Sequence, residues 1–152
     1  MKVTNKDASF FTSWHKLEAG EDLPLGCLVG VKDDGKLYKA TNKTGTPIKA
    51  VGIIYQGSTK LWGAKYELKR EDILRKGDFS EIYKFAVITD ATIDGTPKFG
   101  DPLYLGVDGA ITATVPTGVG TLVQQIGWYE GEQSGFKIVK VCLAYPTKTL
   151  ES

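Results

Sequence analysis

One stretch of this chain occurs twice, and that duplication narrows the possible folds more than any other feature. Gly26-Cys-Leu-Val-Gly-Val-Lys-Asp-Asp34-Gly35-Lys-Leu37 aligns without a gap with Gly100-Asp-Pro-Leu-Tyr-Leu-Gly-Val-Asp108-Gly109-Ala-Ile111. In each copy the glycine of an Asp-Gly pair falls nine residues after the first glycine. Asp-Gly between apolar runs is a hairpin-turn signal, because glycine adopts the positive φ that such turns need. A second short strand and a loop with Gly and Thr follow each turn. The first copy closes with Val51-Gly52-Ile53-Ile54-Tyr55 and Gly57, the second with Ile126-Gly127-Trp128-Tyr129 and Gly131. The chain therefore reads as one hairpin-plus-strand unit used twice.

The rest of the pattern is β as well. Asp94-Gly95 is another turn signal, and Gly45-Thr46-Pro47 and Gly95-Thr96-Pro97 are wider loops. Cys27, Val29 and Val31 share one face at period two, as do Ile111, Ala113 and Val115. Phe136 to Tyr145 is apolar on both alternations, which predicts a central strand covered on both sides. Tyr66 to Lys76 is charged and lacks a clean helical stripe, so it reads as a loop or an exposed strand. Residues 1–18 precede the first unit and carry Phe10, Phe11, Trp14 and Leu17. Either they cap the domain as a strand or they form an arm that orders against a neighbour. The expected organisation is an N-terminal arm (1–18), a single β domain (19–146) and a C-terminal tail (147–152).

Composition excludes several functions. With 19 Lys+Arg against 18 Asp+Glu the net charge is +1, which argues against nucleic acid as a partner. One His among 152 residues removes most metal sites and most His-dependent acid–base chemistry. There is no apolar leader at the N-terminus and no run approaching the ~20 apolar residues of a membrane helix. Neither export nor a membrane partner is expected. Cys27 and Cys142 stand alone in apolar stretches and read as reduced, buried small hydrophobes. Asn42-Lys43-Thr44 fits the glycosylation sequon but reads as chance without an export signal.

No motif supplies chemistry. CxxC, HExxH, GxSxG, a P-loop and a strand-to-helix GxGxxG are all missing from the sequence. His15 lies beside Ser13, but a triad also needs an activated nucleophile and an orienting carboxylate. Glu67, Glu71 and Asp72 mix with Lys65, Lys69 and Arg70 as in a solvated, self-compensating face. Trp14, Trp62 and Trp128 read as core or interface before they read as a sugar platform. The expectation is a protein with no catalytic residues, no cofactor and no metal.

The order of these elements carries a resemblance. Ala19-Gly20, Gly26-Cys27-Leu28-Val29, Asp34-Gly35 with the strand Lys36 to Ala40, and Ala50-Val51-Gly52-Ile53 come first. Arg75-Lys76-Gly77-Asp78, Gly100 to Tyr104, Asp108 to Thr112 and Ile126-Gly127 follow. Together they resemble the bacteriophage capsid decoration proteins, also called capsid cement proteins, over roughly residues 19–145. The stretch from about Ser58 to Arg75 is longer than a minimal member of that family carries.

The resemblance implies an all-β domain of small β-barrel or β-tulip-like form. It implies binding to the outside of an expanded icosahedral head, as a homotrimer at three-fold and quasi-three-fold positions, clamping the major capsid protein against internal DNA pressure. The protein would be made in the host bacterial cytoplasm and end on the virion surface. Phe10, Phe11, Trp14 and Leu17 are the candidate capsid- or subunit-binding residues, with strand addition as their mode. Two other functions fit the same sequence. One is a tail- or baseplate-associated β domain, and the other is a carbohydrate-binding module resting on Trp62, Trp128 and Tyr129.

Overall fold

A computed structural model describes residues 2–6, 16–62, 67–143 and 147–149, with side chains from 16–60 and 68–143. Every regular element among them is a strand. The first half holds β1 (Lys2–Lys6), β2 (Leu17–Glu18), β3 (Leu23–Pro24), β4 (Leu28–Val31), β5 (Leu37–Lys39), β6 (Gly52–Ile54), β7 (Thr59–Trp62), β8 (Glu67–Arg70) and β9 (Ile73–Leu74). The second holds β10 (Phe79–Ser80), β11 (Ile82–Tyr83), β12 (Phe85–Thr89), β13 (Ile93–Asp94), β14 (Pro102–Leu105), β15 (Ile111–Thr112), β16 (Leu122–Gln133), β17 (Phe136–Cys142) and β18 (Thr147–Thr149).

The repeat in sequence is a repeat in structure. β4 and β5 form the first hairpin and β6 pairs with the other edge of β4; β14, β15 and β16 repeat that order. The register agrees too: Val29 faces Gly52 in the first unit, and Leu103 faces Gly127 in the second. Gly26 N–H donates to the Ile54 carbonyl at 2.8 Å, and Gly100 N–H donates to the Tyr129 carbonyl at 2.7 Å. Lys32 N–H to Lys36 C=O across the first turn has its counterpart in Gly106 N–H to Ala110 C=O. Both turn glycines have positive φ, +77° at Gly35 and +80° at Gly109, where a side chain would be strained.

The likeness extends beyond the aligned residues. Ala19 bridges Leu37 in parallel, just as Ile93 pairs in parallel with Ile111. Each unit thus carries a parallel edge residue that its sequence does not advertise.

The expected barrel does not close. The main sheet is open, with order β1-β12-β17-β16-β14-β15-β13 and β18 on β16, while β11-β6-β4-β5 form a separate four-stranded sheet. The physical reason lies at Tyr83–Phe85. β11 pairs with β6 in one sheet, and after Lys84 the same strand line continues as β12 in the other, paired with β17. The chain turns a corner between two sheets, and among the described residues no strand seals one sheet upon itself. Three two-stranded pieces complete the structure: β2 with β10, β3 with β9, and β7 with β8. The charged stretch around residues 66–76 contributes β8 and β9, so it is extended rather than helical.

The small sheet is apolar on both faces. Leu28, Ala40, Ala50 and Ile53 enter the larger core with Ile88, Leu103, Leu105, Ile126, Val139 and Val141. Cys27, Val29, Leu37 and Ile54 enter a second cluster with Ala19, Leu23, Leu74 and Ile82. Burial of such side chains contributes about 1.5–3 kcal/mol each, so these two clusters dominate the fold's stability. Of the predicted single-face trios, only the last members are uncovered. Val31 is 41% and Val115 is 49% exposed, because β4 ends at Val31 and β15 already ends at Thr112. In β17 Val139 and Val141 face the core, whereas Phe136 is 51% exposed on the opposite face and Lys140 and Cys142 are half-buried. The second cover expected over that strand is only partial among the described residues.

One polar side chain joins the sheets. Gln124 on β16 is 1% exposed, and its amide spans the Ala50 backbone. Its Oε1 accepts from Ala50 N–H at 2.8 Å, and its Nε2 donates to the Ala50 carbonyl at 2.8 Å. The side chain acts as one rung of a β-ladder where no strand is present. The units also touch directly. Gly109 N–H donates to Ala40 C=O at 2.5 Å, Asn42 N–H donates to Gly106 C=O at 3.0 Å, and the Thr44 and Thr121 hydroxyls lie 2.9 Å apart.

Candidate functional site

The four sequence-derived binding residues fall in different places. Leu17 lies in β2, paired with Ser80, half-buried against the second cluster. It is part of the domain's own packing. Phe10, Phe11 and Trp14 lie outside the described residues, as do His15 and Ser13. The residues before them form β1, antiparallel to β12 at the end of the main sheet, with Lys6 opposite Ala86. The segment from 7 to 15 therefore links the edge of the large sheet to β2. Among the described residues β1 has no strand on its outer side.

Trp128 and Tyr129 do not form one platform. Tyr129 is buried opposite Val139 in the core, while Trp128 lies half-buried on the other face of β16, its indole N–H donating to Glu130 at 2.6 Å. Trp62 places its backbone in β7. The neighbours in sequence thus point to opposite faces, as period two requires.

Two surface features escaped the sequence reading. The first is an open groove of about 850 Å³ over the first unit, between the Lys32–Asp34 turn and the loop Lys43–Lys49. Lys32, Lys39, Lys43 and Lys49 line it together with Glu21, Asp33, Asp34 and Asp108, so the charges of the wall compensate. The turn at its rim is stiff. The Asp34 carboxylate accepts from Lys36 N–H at 2.9 Å and from the Tyr38 hydroxyl at 2.5 Å, and the Lys32 ammonium sits 4.1 Å over the Tyr38 ring. The phenol's hydrogen bond holds the Asp34 carboxyl below its ordinary pKa and pushes the Tyr38 phenol above its own.

The second feature is apolar. The β16–β17 hairpin runs past the end of β14, whose last pair is Pro102 with Trp128. Phe136 sits near its tip, and Phe99, 74% exposed, leans on the Gly131 backbone below. A period-two reading could not find Phe99, because it lies in a loop.

The remaining polar residues are structural. Ser58, buried, donates to Asp78 and accepts from Arg75 N–H at 2.8 Å, while the Arg75 guanidinium pairs with Glu71 at 3.1 Å and Asp22 at 3.4 Å. This network closes the base of the β7–β8 hairpin. Burial pushes the Cys27 thiol up to about 12, so it stays protonated and unreactive at neutral pH. Among the described residues no group of three His, Cys, Asp or Glu could hold a metal ion, and no helix is long and apolar enough to cross a membrane. Compared with known proteins, the sequence matches no family model and no curated protein.

Proposed function

We propose that the chain is a bacteriophage head decoration protein that docks as a trimer on the expanded capsid and strengthens it against internal DNA pressure. The observation that carries this reading is the coincidence of the resemblance with the architecture. The segments that resemble cement proteins are the hairpins and closing strands of the two units, in the same order and register. Two sheets sharing one strand line, clipped by Gln124, suit a protein whose task is to bear load. In this reading Phe10, Phe11 and Trp14 anchor the N-terminal segment on the major capsid protein, and Leu17 ties that segment to the domain. Strand addition at the sheet edge supplies direction, and simultaneous engagement of several subunits multiplies weak contacts into tight binding.

Co-sedimentation with undecorated heads of the source phage tests this, using unexpanded and expanded shells. Saturable binding to expanded shells alone is expected. Deleting residues 1–16 would also remove β1 from the main sheet, so the triple substitution Phe10→Ser, Phe11→Ser, Trp14→Ser is the cleaner probe of the anchors. Full binding by that variant would discard the arm mechanism. Absence of binding to either shell would discard the function, and tubes or rings larger than a trimer formed by the purified protein would point to the tail instead.

A further inference from the structure

The two units are alike, but their surroundings are not. The turn of the second unit docks on the first: Gly109 N–H donates to Ala40 C=O, and its Cα lies so close to Cys27 that an added Cβ would sit 2.5 Å from Sγ. The segment it covers, Gly26 to Leu28, is buried, and Leu25 beside it packs on the second cluster. The equivalent segment of the second unit, Lys98 to Pro102, is exposed along its whole length and carries Phe99 where the first unit has Leu25. The equivalent turn of the first unit is equally bare. Residues Val31 to Gly35 are exposed, and nothing lies within 4 Å of a Cβ built at Gly35. One chain therefore makes the turn-on-segment contact once and leaves a second plug and a second socket open, on different units.

We infer that the open plug of one copy, the turn Lys32–Lys36, seats on the open socket of another, Lys98–Pro102, repeating between chains the packing of turn on segment but not the Gly109 hydrogen bond, since Gly35 N–H is donated to Lys32 C=O within its own turn. The plug is preorganised by Asp34, Tyr38 and Lys32, so little conformational freedom is lost on seating. Its acidic Asp33 and Asp34 meet Lys98, while the Asp101 carboxylate is turned into its own loop, accepting Lys98 N–H at 2.8 Å. Phe99 flanks this socket and would lose its solvent exposure to the seated copy. A plug and socket on different surfaces make a head-to-tail contact, which closes into a ring if the rotation allows. Three copies joined so carry six equivalent units around one axis. The inference deepens the trimer in the proposal above and is independent of its capsid partner.

Paired cysteines read this contact directly. Positions 35 and 101 correspond to Gly109 and Cys27, which are within disulfide reach of one another. Under mild oxidation, in a Cys142→Ser background that removes the other accessible thiol, the Gly35→Cys, Asp101→Cys double variant should form covalent multimers, and a mixture of the two single variants should stop at dimers. Each single variant alone should stay uncrosslinked. In the unmodified protein, sedimentation should show concentration-dependent mass that Phe99→Ser abolishes while the circular dichroism spectrum is kept. A double variant that stays monomeric, single variants that crosslink as well as their mixture, or a Phe99→Ser protein that associates normally would each overturn the inference. Head binding without this crosslink would sink the contact and leave the function standing. Crosslinked rings that ignore heads would do the reverse.

Discussion

Replacing Gln124 by Leu is the most direct probe of what joins the two sheets. The substitution keeps the volume but removes both partners of the Ala50 peptide, whose N–H and C=O are bonded to the Gln124 amide at 2.8 Å each. Each buried backbone group left unpaired costs about 1–3 kcal/mol. The leucine recovers part of this, because it buries no polar atoms of its own, so a net loss of about 2–4 kcal/mol is expected. For a chain of this length that lowers the melting temperature by roughly 4–16 °C. Gln124→Glu supplies the internal control. A protonated carboxyl can accept from Ala50 N–H and donate to its carbonyl, restoring both bonds, whereas a carboxylate confronts that carbonyl with a second acceptor. Burial therefore raises the folded pKa of the new acid above its unfolded value of about 4.3. The stability of the protonated form is complete below that value and is lost as pH rises through the folded pKa. In urea titrations the gap between Gln124→Glu and the parent should be small near pH 4 and wide at pH 7. A leucine variant within about 0.5 kcal/mol of the parent, or a glutamate gap that ignores pH, would refute the two-bond clip.

The other expectations are shorter. Gly127→Ala places a Cβ into the Lys140 carbonyl, which is ladder backbone and cannot yield, so a loss of about 3 kcal/mol or more is expected in denaturant. Gly35→Ala meets no atom and should cost only about 1 kcal/mol for its positive φ; equal losses at the two sites would contradict the close approach at Gly127. Lys76 N–H and Arg75 hold the Asp22 carboxyl below its ordinary pKa, and Arg75 does the same for Glu71. Their stabilisation is present above about pH 4 and drains away as pH falls, so Arg75→Ala should weaken the fold at pH 7 and its gap to the parent should narrow as pH falls below about 4. A pH-independent gap would rule this out. Burial keeps the Cys27 thiol protonated and covered at pH 8, so alkylation of the native chain should stop at Cys142 and reach Cys27 only in denaturant.

Much of the architecture was legible because a hairpin is local. Asp34-Gly35 and Asp108-Gly109 announce their turns, and Gly52 and Gly127 mark closing strands that approach another backbone or side chain too closely for a Cβ. The parallel edge residues were not legible, since Ala19 and Ile93 share no surrounding sequence and a parallel bridge has no turn to betray it. Gln124 left a trace that went unread: Leu122, Gln124 and Ile126 share one face, and a lone amide on an apolar alternation has to find partners. Closure was misjudged because alternation tells which face is covered and not which sheet covers it. The exposed Phe99 and the empty plug at Gly35 belong to no pattern. They emerge only when two equivalent places are compared and one lacks what the other has.

The corner at Lys84 has a consequence for how the molecule comes apart. Two repeated units could melt separately, as beads do on a string. Here the strand line from Ile82 to Thr89 serves both sheets, so fraying of the small sheet releases β11 and slackens β12 beside β17. The units are independent as patterns and inseparable as thermodynamic objects: one cooperative transition, with coincident curves from every probe, is what a shared strand imposes.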